Sequence, residues 1–269
     1  MGTKELITRS RRVRKLLLDM TYHTGNTGAH IGGALSLVEI MVSLYYVMNY
    51  DINNMKSASR DRLILSKGHG VMTQYAVLSA IGVIPEEELA TFKMDNTRLY
   101  AHPSMNEDMG IEFASGSLGQ GLSLGVGTSL ALKKKNNPAK VYVVIGDGEC
   151  DEGQIWEAAA TASHYKLDNL CVVIDCNKLQ YDGKTEEVID KSLLEERWKS
   201  FGFITESVDG HNTDEIVKSL ESFYEKKPKV LIANTKKGKG VSFMENNPDW
   251  HNRSLTNTLY QQALDEMRT

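Results

Sequence analysis

Two short motifs place hard oxygen ligands at the ends of apolar runs. Gly146-Asp147-Gly148 closes "VYVVIGDG", and Asn177 closes "LCVVIDCN". One carboxylate and one amide oxygen suit Mg²⁺ or Ca²⁺ but are too few to cage it. A main-chain carbonyl, water and ligand phosphate oxygens would fill the remaining positions. Gly146 and Gly148 carry no side chain, so a diphosphate can approach the backbone and accept from its N–H groups. Taken alone, the tripeptide reads as a turn and Asn177 as a helix cap. Their position at two strand ends favours a ligand site. Four histidines lie in loops rich in glycine or proline: His30 in "TGAHIGG", His69 in "SKGHG", His102 in "YAHPS" and His251 in "PDWHNR". Each is a weak signal by itself.

Such residues need a scaffold that gathers strand ends. Val141–Ile145 and Leu170–Asp175 are continuous apolar runs of strand length, the pattern of strands buried on both faces. Leu63–Leu65 runs into Ser-Lys-Gly-His-Gly and then helical "VMTQYAVLSAIG", which reads as a strand, a phosphate-friendly loop and a helix. Further strands are predicted at Phe203–Val208 and Val230–Asn234. Helices are predicted over Lys4–Tyr22, "LSLVEIMVSLYYVM", "GQIWEAAATASHYK", Ser192–Ser200, Thr213–Glu225 and "LTNTLYQQALDEM". In "FASGSLGQGLSLGVGTSLALKKK" a Gly/Ser loop passes into a helix whose small residues permit close packing. The alternation predicts an α/β fold, a mainly parallel sheet with helices on both faces, in one domain over residues 1–269. Ligands of such sheets sit outside the carboxyl ends of the strands, where Asp147 and Asn177 fall.

The bulk numbers agree with a folded protein. The chain has 269 residues, 41% of them hydrophobic, and a net charge of −4. That charge gives no broad reason to expect nucleic acid or a membrane as partner, so an anionic ligand must be held by local geometry. The opening segment is charged and amphipathic, unlike an export leader. No uncharged run is long enough to span a bilayer. Cys150, Cys171 and Cys176 are odd in number and lack metal-type spacing. Reduced thiols in a cytoplasmic protein are the expectation.

Gly-Asp-Gly followed at this interval by Asn resembles the cofactor signature of the transketolase family of thiamine-diphosphate enzymes. The resemblance implies that Asp147, Asn177 and the Leu179 carbonyl bind Mg²⁺, with Ca²⁺ or Mn²⁺ as substitutes. It also implies that Gly33, Gly146 and Gly148 contact the cofactor. His30, His69, His102 and His251 match the histidines that line the family's active site, where they hydrogen-bond donor hydroxyls and shuttle protons. Neutral imidazoles both donate and accept, as reversible addition to a sugar carbonyl requires. His69 is also similar in place to a diphosphate contact. "SGSLGQGLS", with Gly116, Ser117 and Leu118, resembles the loop against the thiazolium and aminopyrimidine side. "TKKGKG" followed by "WH" resembles the segment that carries Lys237 and His251 over the site, whereas Lys236 and Lys239 read as solvated. Glu152 matches a family glutamate that connects two distant active sites; as an acidic residue in the first turn of a helix it also simply suits the dipole. The family's usual Gly-His-Pro reads Ala29-His30-Ile31 here, a departure that alters the backbone at His30. His23, His164, His211 and Cys150 match no family role.

The resemblance runs from near Arg11 to about His251 and covers the first of three modules of a full-length transketolase. The second module, which in the family carries the glutamate that activates the cofactor, has no counterpart here. The expectation is therefore a split enzyme. This chain would supply the diphosphate half, and a partner chain the pyrimidine-binding module and its glutamate, as a heterotetramer of two of each. The reaction expected is transfer of a two-carbon ketol unit from a ketose phosphate to an aldose phosphate. Alternatives are a non-catalytic or regulatory thiamine-diphosphate-binding module and the alpha subunit of a 2-oxo-acid dehydrogenase. A 1-deoxyxylulose-5-phosphate synthase fits less well, because such enzymes are normally a single long chain. "SKGHG", "SGSLGQGLS" and "YAHPS" point to transketolase.

Overall fold

The computed structural model describes residues 3–267. The chain opens with α1 (Thr3–His23), α2 (Ile31–Leu35) and α3 (Val38–Val47), followed by β1 (Arg62–Leu65), α4 (Val71–Ala80), α5 (Gln120–Lys134), β2 (Val141–Gly146), α6 (Gly153–His164) and β3 (Leu170–Cys176). A small hairpin, β4 (Leu179–Gln180) and β5 (Gly183–Lys184), leads to α7 (Thr185–Val188) and α8 (Leu194–Ser200). The chain then forms β6 (Ile204–Asp209), α9 (Thr213–Leu220), β7 (Lys229–Asn234) and α10 (Asn257–Glu266).

Five strands make one sheet in the order β1-β2-β3-β7-β6, with every neighbouring pair parallel. The side-chain period of two explains how a continuous apolar run serves two cores. Along β2, Val141, Val143 and Ile145 enter one cluster while Tyr142 and Val144 enter the other. In β3, Leu170, Val172 and Ile174 share the first cluster, whereas Cys171 and Val173 share the second. Leu122 and Val126 of α5, Ile155 and Ala159 of α6, and Leu194 and Trp198 of α8 close the first core. Apolar residues of α1, α3, α4 and α9 close the other. The α/β architecture read from the sequence is the one observed.

Two local features differ from expectation. The helix expected to reach Glu225 stops at Leu220. Lys229, buried on β7, donates its Nζ to the carbonyls of Ser219 and Ser222 and pairs with Glu206 at 3.1 Å. The Ser219 carbonyl also accepts from the Ser222 amide at 3.0 Å, so a turn amide and a buried side-chain donor together close the helix end. The β4–β5 hairpin was also not expected. It follows Asn177 directly, and its two-residue turn is Tyr181-Asp182. All three cysteines are free and buried. Among the described residues no helix is long and apolar enough to cross a membrane.

Four of the five strand ends at the carboxyl edge, those of β1, β2, β3 and β7, lead to Ser66, Asp147, Asn177 and Thr235. Because the strands are parallel and in register, these four loops open on one side of the sheet.

Candidate active site

Asp147, the first residue after β2, is only 2% exposed. Its Oδ1 accepts from the Gly148 amide at 3.0 Å. Its Oδ2 accepts from the Lys178 amide at 2.8 Å and from Thr185 Oγ1 at 3.2 Å. Burial and the nearby Asp175 carboxylate nevertheless push its carboxyl up to about 6. Asn177 follows β3; its Oδ1 accepts from the Leu179 amide at 3.1 Å, and its Nδ2 donates to Asp175 Oδ2 at 3.1 Å. The Leu179 carbonyl accepts from Lys237 Nζ at 3.1 Å. A carboxylate, an amide oxygen and a main-chain carbonyl therefore come from two neighbouring strand ends. Among the described residues no three His, Cys, Asp or Glu side chains are placed to hold a metal. A hard cation here would depend on this mixed set and on ligand oxygens.

Lys237 is 2% exposed, and its Nζ also lies 2.9 Å from His251 Nδ1. Burial, reinforced by the charge of Lys67, lowers its ammonium to about 8. The four loop histidines form one group. The ring of His30 stands 5.5 Å from His69, 5.9 Å from His102 and 5.3 Å from His251, and His69 stands 5.4 Å from His251. The Ala29-His30-Ile31 backbone places His30 at the N-cap of α2, with Ala29 held to Arg253 by two main-chain hydrogen bonds. Burial is the main cause that lowers every one of these imidazoles, His30 to about 4 and His251 to about 3, with His69 and His102 moved the same way. All four are neutral at physiological pH and able to donate and accept.

A cavity of about 260 Å³ joins these groups. Asp147, Gly146 and Gly148 line it, as do Asn177, Leu179 and Lys237. Gly33, His69, Leu118, Glu152 and His251 complete the expected residues that reach it. His30 and His102 stand beyond this lining, in the histidine group. Gly116 lies against the His102 ring, and a Cβ there would meet His102 Cδ2 at 3.2 Å. Ser117 is exposed and does not line the cavity. Glu152 occupies the N-cap position of α6 without a side-chain capping bond.

One expectation about the glycines changes. The Gly146 amide donates to Glu149 Oε2 at 3.1 Å and the Gly148 amide to Asp147 Oδ1 at 3.0 Å, so both strand-end donors are taken by the chain's own carboxylates. A Cβ at Gly148 would meet Gln180 Oε1 at 2.9 Å, so a side chain there would have to displace the end of Gln180. Sequence reasoning also passed over Lys67, Glu149, Asp175 and Tyr181. Glu149 accepts from Ser66 Oγ and from the Gly119 amide, tying the β1 and α5 loops to β2. The Tyr181 ring at the hairpin tip stands 5.5 Å from His251 and lines the cavity.

The chain is similar along nearly its full length to proteins of its own size. It is 44% identical to a 6-deoxy-6-sulfo-D-fructose transketolase subunit of Clostridium sp. (strain MSTE9), covering 95% of this chain and 93% of that one. It is 39% identical to an apulose-4-phosphate transketolase subunit of Actinobacillus succinogenes, covering 98% and 96%. The transketolase crystal structure from Campylobacter jejuni superimposes with a TM-score of 0.89 at 29% identity. All of this chain is matched there, but only 43% of that one. The chain thus spans less than half the length of that transketolase chain. The family model described as "Transketolase, thiamine diphosphate binding domain" matches residues 7–266, and on that match the chain belongs to the transketolase family as its thiamine-diphosphate-binding domain.

Proposed function

We propose that this chain is the diphosphate-binding subunit of a two-chain transketolase, active only with a partner that carries the pyrimidine-binding module and the activating glutamate. The observation that carries this reading is length. The chain covers 93% and 96% of relatives that are themselves named as transketolase subunits. The complex would hold two copies of each chain, and residues 1–269 would act as one domain. Buried thiols at Cys150, Cys171 and Cys176 suit a reducing compartment, and the cytoplasm is the assigned location.

The residues present fit the cofactor. Asp147, Asn177 and the Leu179 carbonyl are a donor set for Mg²⁺, with Ca²⁺ or Mn²⁺ as substitutes. Lys237 and neutral His69 supply donors for a diphosphate, and Gly33 and Leu118 offer wall. Among the described residues, two buried oxygens that belong to the cavity lining, Asp151 Oδ2 and Gln180 Oε1, have no partner of their own and can receive a cation or donor. Thiamine diphosphate, when bound, supplies the electron sink for carbon–carbon cleavage. The chain's part is positional and electrostatic. His30, His69, His102 and His251 hold sugar hydroxyls and move protons as neutral imidazoles, and Glu152, by the family resemblance, would connect two active sites. The donor is a ketose bearing an anionic group and the acceptor an aldose of the same kind, with a place in pentose phosphate metabolism as one outcome.

The test mixes this chain with its partner chain, thiamine diphosphate and Mg²⁺, and screens ketose donors for two-carbon transfer. The chain alone is expected to be inactive, and Asp147→Ala to abolish Mg²⁺-dependent cofactor binding in the complex. Ketol transfer without a partner, or cofactor affinity unchanged in Asp147→Ala, would refute the reading.

A further inference from the structure

Asp175, the penultimate residue of β3, is completely buried and yet charged. A buried carboxylate persists only when it is paired and hydrogen-bonded. Asp175 Oδ2 accepts from Lys67 Nζ, from Ser36 Oγ at 2.7 Å and from Asn177 Nδ2 at 3.1 Å, while Oδ1 accepts from Thr235 Oγ1. Lys67, itself 2% exposed, also donates to the Gly33 carbonyl at 3.3 Å. One carboxylate therefore ties together the loops that carry Gly33, His69, Asn177 and Lys237.

The contact with Asn177 has a chemical consequence. An amide presents oxygen on one side and NH₂ on the other, and only the oxygen ligates a hard cation. Asp175 Oδ2 already receives Lys67 Nζ and Ser36 Oγ, and it is the Asn177 Nδ2 that meets it, so the NH₂ side faces Asp175. The Leu179 amide, 3.1 Å from Asn177 Oδ1, selects the same orientation. We propose that Asp175, paired with Lys67, is a positioning residue that fixes the Asn177 amide with its oxygen toward a divalent cation. This rests on the reading of Asn177 as a cation ligand.

The experiment uses the complex of both chains and measures thiamine diphosphate affinity against Mg²⁺ concentration, together with direct Mn²⁺ binding by electron paramagnetic resonance. Asp175→Asn puts a second amide against Asn177 and frees its orientation. Loss of an outer-shell partner of a metal ligand typically costs about 10- to 100-fold in metal affinity, which is the loss expected. In Asp175→Asn/Asn177→Asp the residue at 177 has oxygen on both sides, so orientation no longer matters and most of that about 10- to 100-fold loss is recovered. A purely structural role for Asp175 would not be rescued by this swap. The swap keeps one carboxylate and one amide, so it carries the test where the single variant does not fold. Asn177→Ala separates the two readings: unchanged Mg²⁺ dependence there removes the ligand assignment itself. If Asn177→Ala loses Mg²⁺ affinity, the positioning role is overturned by Asp175→Asn retaining parental affinity, or by a swap that fails to fold or recover it.

Discussion

Two glycines of α5, two residues apart, should respond to the same change with opposite signs. A Cβ at Gly125 would lie 2.3 Å from Val143 Cγ2 on β2, while a Cβ at Gly127 meets nothing within 4 Å. Carbon atoms in contact rest about 3.5–4.0 Å apart, so Gly125→Ala forces helix and strand apart by about 1 Å or bends the Val143 rotamer. Overpacking of this kind costs about 1–3 kcal/mol. Gly→Ala in a helix interior also gains about 1 kcal/mol of propensity. That gain is common to both variants and cancels between them. Gly125→Ala should therefore be about 1–3 kcal/mol less stable than Gly127→Ala, and Gly127→Ala itself about 0.5–1 kcal/mol more stable than the parent. Urea unfolding of the three purified chains measures this directly. In thermal melts each kcal/mol should move Tm by about 2–4 °C in a chain of this size. The strain should also reach the site, because α5 begins where the Gly121 amide donates to Ser66 Oγ at 3.1 Å and the Gly119 amide to Glu149 Oε1 at 2.8 Å. Equal stability of the two alanine variants would refute the claim that α5 lies against β2 through Gly125.

Two further outcomes follow from buried charge. His30 and His251 are lowered to about 4 and about 3, mainly by burial. The unfolded chain protonates both near pH 6.5, at about the ordinary imidazole value, so it binds more protons below that pH and the histidine contribution to stability falls as pH falls. Asp147, raised to about 6, acts in the opposite sense over part of the range, so the readout is a difference: His251→Gln should lose less stability than the parent between pH 7 and pH 5, and parallel curves would refute it. Lys229→Met removes the donor to the Ser219 and Ser222 carbonyls and should lower the urea midpoint by an amount equal to about 1–3 kcal/mol; an unchanged midpoint would show that the end of α9 does not depend on Lys229.

The sheet and the edge where ligands would bind were legible because both follow from local pattern. Val141–Ile145 and Leu170–Asp175 are too short and too uniformly apolar for surface helices, and each stops at residues that favour turns. Loop histidines could be named from the pattern but grouped only through the family resemblance, because the convergence of His30, His69, His102 and His251 depends on strand order. The end of α9 was hidden for a similar reason. The residues Glu221 to Glu225 have no strong helix breaker, and the carbonyls at the stop meet Lys229 on the next strand. Asp175 and Lys67 did carry a signal. Each is a charge attached to an apolar run read as buried, and such a charge demands a partner. The sequence does not say which partner, since Lys67 and Asp175 are 108 residues apart.

The glycine motif shows how the chain's own carboxylates meet the amides that a short signature points to. Gly-x-Gly at a strand end suggests free amides that cradle an anion. Here Glu149 lies past the motif, folds back in the turn that follows β2 and takes the Gly146 amide, while Asp147 takes that of Gly148. Glu149 also takes Ser66 and the Gly119 amide, so one internal carboxylate fills the anion position those donors would otherwise offer. Burial raises the Glu149 carboxyl, but Ser66 and two amides oppose that rise, the pattern of a structural acceptor and not of a displaceable one. By the proposed reading, contact with the diphosphate then falls to groups that still have capacity toward the cavity, Lys237 and His69 among them. Asp147 keeps a different task. By the same reading two side chains and one carbonyl would provide half a coordination shell, and the remaining ligands would come from the cofactor and water.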